Sequence, residues 1–360
     1  LQDGFNSITI GVNAGFGNVS ITGAAFSDNI TIFGGDISIT GLNAGGNDVA
    51  LTASGAMTDG DGATTTDITA GTVTLTADTG IGATGANDSI DIDADTTSAT
   101  NTTSGGIFLN AVGTGGTSIT ANAQTAGDLE IIASEDVTLT DLDTDSGSVT
   151  VTATSASITA SDVVAGPNGD ITFTTNTSGN ITLTTVTAAG DAVNATAAGS
   201  IIDGSGLVTG ATLSLNATDI GMAAPLNVDV DTLDAVASSG AIIIDEANGL
   251  TIGAAGVQTT GSNGNVDLVV TTGDLTLDGA ISANGSGDVS LDLEGAGAAL
   301  ITSTAGENIS STSGDITITA DTLTLANGDI SSSGDLVLQP QTASRTMGVG
   351  NSATGDFNLS

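Results

Sequence analysis

This sequence contains no histidine, cysteine, lysine, tryptophan or tyrosine, and each absence removes a class of chemistry. Without His, Cys, Lys and Tyr, the usual general bases and activated nucleophiles are missing. Without Cys there can be neither disulfide staples nor thiolate chemistry. Aromatic area is scarce: seven Phe serve 360 residues, and Phe5, Phe16, Phe26 and Phe33 lie close to the start. A large interior therefore has to be filled by Val, Ile, Leu, Ala and Thr rather than by rings. Positive charge is almost absent, since Arg345 alone faces 41 acidic residues for a formal net charge of -40. Such a field repels nucleic acid and anionic membrane surfaces, which are bound through Lys and Arg. No apolar run approaches the roughly 20 residues of a membrane span, so neither a nucleic-acid partner nor membrane insertion is expected. No basic segment precedes an apolar one in the manner of a secretion signal; any such signal is expected outside this segment.

What is present is repetitive. Gly, then Asp or Asn, then apolar-x-apolar recurs as Gly17-Asn-Val-Ser-Ile21, Gly35-Asp-Ile-Ser-Ile39, Gly127-Asp-Leu-Glu-Ile131 and Gly169-Asp-Ile-Thr-Phe173. Further copies start at Gly179, Gly264, Gly273, Gly287, Gly314, Gly334 and Gly355. Gly permits the positive φ of a tight corner, and Asp or Asn can close an Asx-turn onto a following amide. The two apolar residues at spacing 2 share one side and Thr or Ser takes the other, the pattern of a short half-buried strand of three to five residues. β-Branched residues suit such strands and make poor helices.

Spacing selects the architecture. Copies at 314, 334 and 355 are 20 and 21 residues apart, and those at 169 and 179 differ by half a step. The pattern predicts an all-β parallel β-solenoid, with about 20 residues and two or three strands per coil and little or no helix. Composition runs evenly, so residues 1–360 are expected to form a single continuous solenoid, with irregularities concentrated in 190–250, around Pro225. Neither end of the sequence reads as a polar cap, and an uncapped rung is an open sheet edge. The chain is thus expected to associate with itself end to end, or with adjoining repeats of the same chain.

The repeats resemble those of giant bacterial exoproteins of the filamentous-haemagglutinin type. Specific phrases carry the likeness: Leu1-Gln-Asp-Gly-Phe-Asn-Ser-Ile-Thr-Ile-Gly11 and Phe26-Ser-Asp-Asn-Ile-Thr-Ile32 near the start, Leu336-Val-Leu-Gln-Pro340 and Thr346-Met-Gly-Val-Gly350 near the end. The resemblance implies a right-handed parallel β-helix, one repeat-like unit of a longer array, secreted to the cell surface or beyond. It further implies a role in surface adhesion, biofilm matrix or fibre formation.

On these grounds no catalytic residues are expected, and the predicted function is a structural extracellular one. The alternative is an adhesin whose lateral face binds a glycan or protein. For metals, Ca²⁺ takes six to eight oxygens, so alternating acids are the signal to seek. The candidates are Asp91, Asp93 and Asp95, then Asp141, Asp143 and Asp145, with Asp59 and Asp61 and Asp229 and Asp231 weaker. Each such row can equally be the water-facing side of a strand.

Overall fold

The computed structural model describes residues 4–13, 17–261, 263–302, 307–326, 328–349, 355 and 357–359. Parts of the opening and closing phrases, 1–3 and 350–354, lie outside the described residues, as does Phe16. The fold is a parallel β-solenoid without helix, and no helix long and apolar enough to cross a membrane occurs among the described residues. The coil is somewhat larger than the sequence spacing predicts, at about 22 residues. The chain divides into two compact units, 1–191 and 192–360.

In unit 1–191, residues stack on their counterparts one coil on. Ile8 pairs with Ile30, Ile30 with Val49, Val49 with Val73, and the ladder continues through Thr97, Ile119, Leu139, Ala160 and Leu183. A second ladder runs through Ile37, Met57, Ile81, Ile107, Leu129, Val149 and Ile171. In unit 192–360 the corresponding ladders are Leu213, Leu233, Ile252 and Leu277, and Ile242, Val266, Val289, Ile316 and Leu336. The core is aliphatic, with Phe173 among its few large rings.

Several strands are longer than the three to five residues expected, because one strand turns a corner of the coil and resumes its pairing after a residue or two. Val137–Thr144 buries Val137 and Leu139, exposes Thr140 and Asp141 in succession, then buries Leu142 and Thr144. Ile158–Ala165 and Ile181–Ala188 repeat that pattern, one coil and two coils later. Two outward residues in a row switch the phase of the alternation, so a single strand serves two faces.

Corner glycines have a different cause from the one expected. Gly179 and Gly273 do take positive φ, but Gly127, Gly147, Gly169, Gly264, Gly287, Gly314 and Gly334 do not. These seven are stacked so closely that a Cβ on Gly147 would strike the carbonyl oxygen of Gly127, and one on Gly169 that of Gly147. Gly264, Gly287, Gly314 and Gly334 form the same column in the other unit.

The Asp or Asn after the glycine also acts between coils rather than within a turn. The Ser148 amide donates to Asp128 Oδ1 (2.9 Å), the Asp288 amide to Asn265 Oδ1 (2.9 Å), the Asp315 amide to Asp288 Oδ1 (2.8 Å) and the Asp335 amide to Asp315 Oδ1 (2.8 Å). In every case the later coil donates and the earlier accepts.

Gly147→Ala should therefore destabilise the fold by about 1–3 kcal/mol through overpacking. Gly115→Ala, where an added Cβ meets nothing within 4 Å and φ is not positive, should be neutral or stabilising by about 0.4–1 kcal/mol. Urea unfolding of the two variants checks this; equal effects would contradict the close-approach account.

Candidate metal centre

One acidic group converges in unit 1–191. Asp59 ends the strand Met57–Asp59, Asp67 immediately precedes Ile68–Ala77, and Asp91 lies in Ile90–Asn101. Register brings them together: Ile68 pairs with Ile92, so Asp67 and Asp91, each one residue earlier, occupy the same corner of successive coils. The Asp67 amide donates to the Asp91 carbonyl (2.9 Å), and the Asp91 amide donates back to Asp67 Oδ2 (3.1 Å). Asp59 comes from the other end of the loop 60–66. Its Oδ1 accepts the Asp61 amide (2.9 Å), and Asp61 Oδ1 in turn accepts the Ala63 amide (3.0 Å). Asp91 Oδ1 accepts from Asn110 Nδ2, one coil further on.

Each carboxylate thus has one oxygen engaged and one left over. Asp59 Oδ2, Asp67 Oδ1 and Asp91 Oδ2 are buried and accept no hydrogen bond. One carboxylate oxygen from each residue lies within 4.8 Å of the others, the sole such group of three or more among the described residues. Asp67 and Asp91 are 1% and 0% exposed. No positive side chain compensates them, because residues 1–191 contain no Lys, Arg or His. Burial pushes the Asp67 carboxyl up to about 7, with the charges of Asp59, Asp91 and Asp61 adding to the rise against the pull of the Asp91 amide. Burial likewise pushes Asp91 up to about 6, opposed by Asn110 and assisted by Asp59 and Asp61. Three like charges this close and this dry cannot all persist unaided. The arrangement can hold protons or a hard cation. It is too closed to admit a sugar between its carboxylates, as glycoside hydrolysis would need.

The other acids singled out in the sequence are not gathered in this way. Asp93 and Asp95 face solvent, alternating with buried Ile92 and Ala94. Asp141 and Asp143 flank Leu142 on the strand Val137–Thr144, about 6.6 Å apart, and Asp145 lies in the bend just past its end. Asp143 Oδ2 accepts from Asn122 Nδ2 (3.4 Å) and Asp145 Oδ2 from the Thr125 amide (2.9 Å). Burial, then Asp145, Asp141 and Asp162, raises the Asp143 carboxyl above its ordinary value. Asp61 is exposed on the loop, Asp231 is exposed, and Asp229 accepts from Asn248 Nδ2. Asp67 was not among the sequence candidates. Its signal was the coil period: Asp67-Ile68 and Asp91-Ile92 lie one coil apart in equivalent positions.

Because the folded-state values of Asp67 and Asp91 lie above the unfolded one, the folded chain keeps protons that the unfolded chain has released. That stabilisation is complete below about pH 4 and is lost as pH rises through about 6 to 7. In chelator-treated buffer the melting temperature should fall between about pH 5 and pH 8, and Asp67→Asn should flatten the fall and melt higher at the alkaline end. Parallel curves for the two proteins, followed by circular dichroism, would contradict this.

Compared with known proteins, the chain matches no family model, no curated protein and no solved structure.

Proposed function

We propose that this chain is a structural element of an extracellular fibre, stalk or matrix, a solenoid segment that adds end to end to coils of its own kind. The observation that carries the reading is the exposure of core-type side chains on outer rungs. Leu336 pairs with Ile316, which is 1% exposed, yet Leu336 is itself 50% exposed. At the other extreme of the sequence Ile10 pairs with Ile32, which is 3% exposed, while Ile10 is 40% exposed. Met347, which pairs with the fully buried Phe357, is 45% exposed as well. A further coil of matching sequence would bury these positions as the interior coils bury theirs, and would continue the parallel hydrogen bonding. The dense acidic exterior keeps lateral faces apart and favours growth along the axis. The likeness to filamentous-haemagglutinin-type repeats supports a secreted, cell-surface setting.

A second reading, a lateral binding face for a glycan, is favoured by a cleft in unit 192–360. Gln258, Thr260, Ser282, Asn284, Ser310 and Thr312 line it with amides and hydroxyls from successive coils.

Electron microscopy of the purified chain should show end-to-end assemblies, and Leu336→Asp should reduce them to short particles with an unchanged circular dichroism spectrum. Short particles from the unaltered chain under all salt and Ca²⁺ conditions would refute self-stacking. Saturable oligosaccharide binding that Ser282→Arg abolishes would favour the lateral face instead.

A further inference from the structure

We propose that Asp59, Asp67 and Asp91 together bind one hard divalent cation, calcium by preference, and that the ion pins the loop 60–66 to the coil that follows. Two oxygens bound to a common Ca²⁺ at about 2.4 Å can be no more than about 4.8 Å apart, and the three carboxylates meet that limit in pairs. Independently of their proximity, the atoms left unpartnered are the ones a cation would need. Asp67 Oδ1 and Asp91 Oδ2 are unpaired on side chains at least nine-tenths buried, and Asp59 Oδ2 is unpaired beside them. The opposite oxygens are occupied by the Asp61 amide, the Asp91 amide and Asn110 Nδ2, which orient each carboxylate. A buried carboxylate oxygen without a donor is costly, and three carboxylates that each hold one, gathered at one corner, are more so. In most folds a Lys or Arg would fill such a place; here residues 1–191 hold neither.

The donor set defines the ion. It is all oxygen and highly charged, which suits a hard cation and offers no nitrogen or sulfur to a softer one. Three carboxylates supply part of the six to eight oxygens that Ca²⁺ takes, and irregular geometry is tolerated by Ca²⁺ better than by Mg²⁺. The ligands also define the consequence. Asp59 and Asp67 bracket the exposed stretch Gly60–Thr66, and Asp91 belongs to the next coil. One ion would therefore close the loop on itself and tie it to the stack.

The test uses the full chain, stripped with chelator, in physiological salt so that loose association with the acidic surface is screened. CaCl₂ is titrated calorimetrically, with MgCl₂ as a second arm. The expected result is saturable binding of Ca²⁺, tighter than Mg²⁺, with a higher melting temperature and slower hydrogen exchange at the amides of residues 61–66. Asp59→Asn, Asp67→Asn and Asp91→Asn each keep an oxygen for the existing hydrogen bond and replace the unpaired one, so each should fold. Each should weaken Ca²⁺ binding on the order of tenfold or more, while Asp141→Asn with Asp143→Asn leaves it unchanged. Should a buried variant fail to fold, Asp59→Asn, at the half-buried position, carries the comparison. Absence of saturable binding, or binding that survives all the folded single variants, would overturn the assignment. Binding lost only with the Asp141 and Asp143 pair would move it to that strand.

Discussion

Parallel strands stack about 4.8 Å apart, and in a solenoid that distance separates each residue from its counterpart in the next coil. Whatever occupies a position is therefore repeated against itself. Aliphatic residues gain from this, as in the column from Met57 through Ile81 and Ile107 to Leu129. The same repetition brings backbone against backbone at the corners, where only glycine fits above glycine, as at Gly127 and Gly147. For acids it is a burden, because like charges at this spacing repel.

The protein meets that burden in two ways. Most acids stand outward in water, and many on the corners lend an oxygen to the amide of the next coil, as Asp288 does to Asp315. Hydrogen bonds from amides favour the ionised form and partly offset the repulsion. Asp321, wholly buried, is held by the amides of Gly297 and Thr342, by the Thr342 hydroxyl and by Arg345 at 3.6 Å. Its carboxyl is correspondingly pulled below the ordinary range: although burial works against ionisation, those donors and the guanidinium outweigh it. Glu246 shows the limit of amides alone. Burial drives its carboxyl to about 7 even though Asn248 and Val230 donate to it. The trio of Asp59, Asp67 and Asp91 goes further, with fewer donors and no cation.

Much of the fold was legible because its driving pattern is local: apolar residues at spacing 2, broken by Gly and Asp, at steps near a coil. What the pattern could not show was the reason for each corner residue. Gly127-Asp128 looks like a self-contained turn, and its partners lie a full coil away in Gly147 and Ser148. Strand lengths were underestimated for a related reason, since the paired outward residues Thr140 and Asp141 read as a break although the strand continues. The candidate site was legible in part. Asp91 and Asp59 stood out through neighbouring acids, whereas Asp67 has no acid within five residues on either side and is found only by laying one coil upon the next.

The corner ladder of Asp and Asn has one more implication. Its hydrogen bonds all run in one sense, from the amide of the later coil to the side chain of the earlier. This column is thus vectorial, with a side-chain acceptor at one end and a main-chain donor at the other, although elsewhere Asp145 and Asp321 accept from amides of the earlier coil. Two such ends are complementary to each other and not to themselves, so the column would favour an added coil set the right way up over an inverted one. A polymer built on this rule would have unlike ends and could lengthen only with every subunit pointing the same way.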